Sequence, residues 1–145
     1  ADGSTKEAQE KLTETMKQWQ KLETAAVAQT AKIIEQTDHP LIRQVAEIIQ
    51  RDSQNHHAVQ QLIIDSLEKA PVQVPVDDLV KVWDAIEDHI RIEKRTIELA
   101  TLSLQAIEGT RNVVQRYLLE YLLEDEKKHD ALLDKLDLIK KQMWP

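Results

Sequence analysis

Residues that interrupt a helix fall in only three internal places along this 145-residue chain, and that punctuation limits the fold more than any other feature. With two Gly and four Pro in all, the breaks are Asp38-His39-Pro40, the stretch 70–78 with Pro71 and Pro75, and Gly109. Strands need a turn every few residues, so an all-β chain is excluded. The four intervals between breaks predict helices over about 5–37, 40–69, 78–108 and 111–142, in one domain spanning residues 1–145. End signals agree with those limits. Ser4-x-x-Glu7 has the form of a capping box, Pro40 suits a first helical turn, and Asp77 or Asp78 can cap the third helix. Gly109 suits the end of that helix, and Thr110 or Asn112 the start of the fourth.

Each interval carries an apolar stripe with steps of three and four residues, the seam of bundled helices. The stripes run through Leu12, Met16, Trp19, Ala26, Thr30 and Ile33; through Ile42, Val45, Ile49, Val59 and Ile63; through Leu79, Trp83, Ile86, Ile90, Ile97, Ala100, Leu104 and Ile107; and through Leu119, Leu122, Leu133 and Leu136. The predicted fold is all-α, a four-helix bundle with antiparallel neighbours. Hydrophobic residues at 41% supply a core, and no run approaches the roughly 18 apolar residues of a membrane span. A net charge of −7 with dispersed Lys and Arg argues against nucleic acid as partner. The cytoplasm is the default compartment. Absence of Cys removes disulfides, thiolate zinc, iron–sulfur clusters and a Cys nucleophile, so any metal would rest on His and carboxylates.

Every stripe is broken near its middle by an acidic residue: Glu23, Asp52, Glu93 and Glu126. His56 and His129 follow two of the breaks by one turn. Counted from the first connection, Glu23 is 38 − 23 = 15 residues before Asp38 and Asp52 is 52 − 38 = 14 after it. Around Gly109 the counts are 109 − 93 = 16 and 126 − 109 = 17. In antiparallel helices such counts put the acids at similar depth. Four buried carboxylates repel and lose solvation, and two divalent cations would neutralise them while two imidazoles complete the ligand set. Mixed carboxylate and imidazole donors suit iron or manganese.

Glu126-Lys127-Lys128-His129, with Glu23 and Glu93 as single acids on the other helices, resembles the ferritin-like carboxylate di-iron family, on its rubrerythrin-like side. The resemblance implies two iron ions, or iron with manganese, and reaction with O2 or H2O2 as an oxidase, peroxidase or iron-handling protein. It assigns Glu23, Asp52 and His56 to one metal and Glu93, Glu126 and His129 to the other, with Asp52 and Glu126 bridging. His89, one turn before Glu93, is a candidate extra ligand or proton donor to peroxide, and Tyr121 a candidate redox residue. Without Cys pairs, a peroxidase of this kind needs an external electron donor. Two departures stand out. Helix two offers Asp52-x-x-x-His56, with Asn55 at the three-residue offset. The connection between helices two and three spans roughly 30 Å at most, too short to cross a helix of roughly 43 Å. The topology is therefore up-down-up-down, or helix pairs are exchanged in a homodimer. The alternatives are a hemerythrin-like O2-binding bundle, echoed by His89-x-x-x-Glu93, and a metal-free interaction bundle.

Overall fold

The computed structural model describes residues 3–69 and 76–143. They form four helices: α1 (Gly3–Gln36), α2 (Pro40–Glu68), α3 (Val76–Ala106) and α4 (Val113–Met143), with no strand among the described residues. The chain is all-α, with the helix content of a four-helix bundle. It divides into two units, residues 1–73 and 74–145, each built around one helical hairpin. The Ser4 side chain and the proline-bearing segment 70–75 lie outside the described residues. No helix is long and apolar enough to cross a membrane.

In the first unit the cross-helix bonds advance along α1 as they retreat along α2. Lys17 meets Glu68, Gln20 meets Gln61, and the Gln50 amide donates to the Val27 carbonyl. The two helices are therefore antiparallel. Their turn is closed from both sides. His39 is the N-cap of α2, its Nδ1 accepting the Leu41 N–H at 3.2 Å, with Pro40 in the first turn. Arg43 Nη1 donates to the Ile34 and Thr37 carbonyls at 2.7 and 3.2 Å, satisfying acceptors that the end of α1 leaves open.

The seam of α2 differs from the predicted stripe. Ala46, Ser53, Gln60 and Ile64 are the buried residues, while Ile42, Ile49 and Val59 are about half exposed. The face toward α1 is thus rotated by about one residue. Small and polar residues every seven positions let the two backbones approach, and the bulky branched side chains turn away. On α1 the buried positions Met16, Glu23 and Thr30 follow the same seven-residue spacing and lie on the predicted stripe, whereas Leu12 and Trp19 of that stripe are about half exposed.

In the second unit, contacts of Trp83 with Lys140, Thr96 with Glu126 and Glu93 with His129 show α3 and α4 antiparallel as well. Leu79, Trp83, Glu93 and Ala100 are buried, all on the predicted α3 stripe. Trp83 anchors one end: Lys140 Nζ lies 3.6 Å from its ring centroid, and its indole N–H donates to Glu87 at 2.9 Å. Gly109 closes the other end with φ of +75°, a backbone conformation that costs a residue with a Cβ. Asp77 and Asp78 occupy the first turn of α3, where negative charge opposes the helix dipole. Asn112 immediately precedes α4, and its carbonyl accepts the Arg116 N–H at 2.9 Å.

Candidate metal centre

Glu93 is the buried acid of α3, 4% exposed, and two side chains of α4 face it. Glu126 and His129 are three residues apart and so share a face of α4. Glu93, Glu126 and His129 each present a ligand atom within 4.8 Å of the others. Among the described residues this is the one such group of three.

Each member is held from outside. Glu93 Oε1 is 2.8 Å from His89 Nε2 and 3.5 Å from His129 Nδ1. His129 Nε2 lies 3.5 Å from Oδ2 of Asp125, an acid one turn back whose other oxygen pairs with Lys128 at 2.8 Å. Thr96 Oγ1 donates toward Glu126 Oε2 at 2.9 Å and toward the Glu93 carbonyl at 2.7 Å. The remaining oxygen, Glu93 Oε2, is buried and no protein donor reaches it.

The electrostatics follow from two carboxyls in contact. A shared hydrogen bond with Glu93 raises the Glu126 carboxyl above its ordinary value, while the Thr96 hydroxyl pulls the other way. The same bond lowers Glu93, assisted by His89 and His129 and opposed by burial. The two shifts have opposite signs because ionising both carboxyls at this distance brings like charges together. A buried carboxylate oxygen with no donor, beside a second carboxyl and an imidazole, is a donor set that suits a divalent cation.

Glu23 is the buried acid of the other hairpin, 8% exposed. His56 Nδ1 lies 3.1 Å from its Oε2, and the Gln60 amide approaches the same oxygen at 3.5 Å. Asp52 is half-buried, and no contact among the described residues joins it to Glu23 or His56. Of the residues singled out in the sequence, Glu93, Glu126, His129 and His89 come together in one hairpin and Glu23 and His56 in the other. Tyr121 is half-buried on α4, five residues before Glu126.

Three participants were not foreseen. Thr96 stands one turn after Glu93, and its spacing was a usable signal. Asp125 reads as part of a solvent-facing charged run, yet its half-buried carboxylate turns toward His129. Gln60 falls off the predicted α2 stripe and becomes visible only once the seam is known.

The chain matches no family model, no curated protein and no solved structure. The site must be read from its own residues.

Proposed function

We propose that this chain is a non-haem metalloprotein of the carboxylate–histidine di-metal kind, binding iron or iron with manganese and reacting with O2 or H2O2. The observation that carries the reading is the Glu93–Glu126–His129 group with its donorless buried oxygen. Glu93, Glu126 and His129 would hold one metal, and Glu23 and His56 would serve a second. Bound iron supplies one-electron oxidation and reduction, which matches O2 and peroxide as co-substrates.

The protein side chains have distinct tasks. Metal binding requires the Glu126 carboxylate and so works against the upward shift that Glu93 imposes on that group. His89 holds Glu93 Oε1 and leaves Oε2 available. Thr96 steadies Glu126 from the α3 side, and His129 Nδ1, the nitrogen that faces Glu93, would be the ligand atom. An external electron donor would complete a peroxidase cycle, since the chain has no Cys pairs to hold a rubredoxin-type centre.

The test is metal content per chain, followed by anaerobic Fe(II) titration and exposure to O2 or H2O2 with visible absorption recorded. Saturable iron binding and a charge-transfer band on oxidation support the reading. Absence of titratable binding would refute it and turn attention to a metal-free interaction bundle.

A further inference from the structure

The two hairpins can be compared position by position, because each pairs a buried glutamate on its first helix with a histidine on its second. Glu23 with His56 corresponds to Glu93 with His129, and the offset between α2 and α4 is 129 − 56 = 73. Carried along α2, that offset places Ala46 on Leu119, Ser53 on Glu126 and Gln60 on Leu133. Ala46, Ser53 and Gln60 are the buried seam residues of α2, and their counterparts Leu119, Glu126 and Leu133 are half-buried on α4. Asp52 falls on Asp125, the residue that faces the outer nitrogen of His129. The carboxylate contributed by Glu126 in one hairpin is therefore a serine hydroxyl in the other.

We propose, on the basis of the metal-binding function above, that the chain binds its two metals unequally: one tightly through α3–α4, and one weakly through α1–α2, where Ser53 stands in place of a carboxylate ligand. Two further observations agree. Gln60 offers Glu23 an N–H at 3.5 Å, beside His56 at 3.1 Å, so this carboxylate is partly satisfied without a cation. Glu93 instead retains a buried oxygen that no donor reaches. Glu23 and Ser53 also both line a cleft of about 270 Å³ between α1 and α2, room that a longer side chain at position 53 could use.

Loss of one anionic ligand removes both a bond and a charge from the metal's surroundings, and even outer-shell losses weaken affinity by about 10–100-fold. The second metal should bind at least about a hundredfold more weakly than the first. Anaerobic Fe(II) titration of the whole chain by equilibrium dialysis tests this, with Ser53→Glu, Ser53→Asp and Glu126→Ser alongside and far-UV circular dichroism to verify folding. The expected result is one tight and one weak iron in the unaltered chain, a tightened second iron in a folded Ser53→Glu or Ser53→Asp, and loss of the tight iron in Glu126→Ser. Two equally tight irons in the unaltered chain would overturn the unequal sites while leaving the proposed function standing. Loss of the weak iron instead of the tight one in folded Glu126→Ser would do the same. No iron bound by any of these proteins would overturn both.

Discussion

Glu126 is the residue where two opposing demands meet. In the metal-free hairpin Glu93 raises its carboxyl above the ordinary value, whereas metal binding requires its carboxylate. Glu126→Gln keeps an N–H donor and removes the charge. The variant should lose tight metal binding by at least about a hundredfold while its metal-free helices remain as stable as before. Calorimetric metal titration and thermal melts in chelator would measure the two effects separately. The pH dependence has two limbs of opposite sign. Glu93, lowered, contributes stability above the ordinary carboxyl range that is lost as pH falls through its depressed pKa. Glu126, raised, contributes stability fully present below the ordinary range that is lost as pH rises through its elevated pKa. Metal-free protein should therefore melt higher at mildly acidic pH than at neutral pH, and Glu126→Gln should flatten the alkaline limb. A melting curve of the variant that falls as steeply with rising pH would contradict the raised Glu126 carboxyl. Thr96→Val, which removes the hydroxyl from Glu126, should weaken metal binding by about tenfold without unfolding α3.

The helices owe their limits to local chemistry and their facing to packing. Gly109 sits at φ of +75° with open space around it, so the cost of Gly109→Ala is backbone strain alone, about 1 kcal/mol of unfolding free energy by urea denaturation. Arg43→Ala removes both bonds to the end of α1 and should cost about 1–2 kcal/mol by urea denaturation. The four helices and their breaks were legible in the sequence because capping, proline and glycine signals act within a turn or two. The seam of α2 was not. Rows one residue apart on a helix differ by only about 100°, and both rows of α2 carry apolar residues, so periodicity admits either. The row read from the sequence held the bulky Ile42, Ile49 and Val59 with Asp52, whereas the row that packs holds Ala46, Ser53 and Gln60. That shift changes which residue accompanies His56 at the candidate site.

For the whole molecule, metal occupancy should be visible as stability. A metal that binds the folded chain and not the unfolded one adds about 2.7 kcal/mol at a free concentration a hundredfold above its dissociation constant. Thermal midpoints should rise with added Fe(II) under anaerobic conditions and fall on chelation, and Glu126→Gln should respond far less. An identical response in that variant would place the stabilising metal elsewhere. The sequence by itself determined the all-α composition, the number of helices, the closing turns and the clustering of Glu126 with His129, because each follows from neighbours along the chain. Only the tertiary structure decided that Glu93 keeps an oxygen without a donor and that Ser53 lies on the buried seam of α2 where Asp52 does not. Those outcomes depend on how two helices of unequal side-chain bulk settle against each other, and no single helix carries that information.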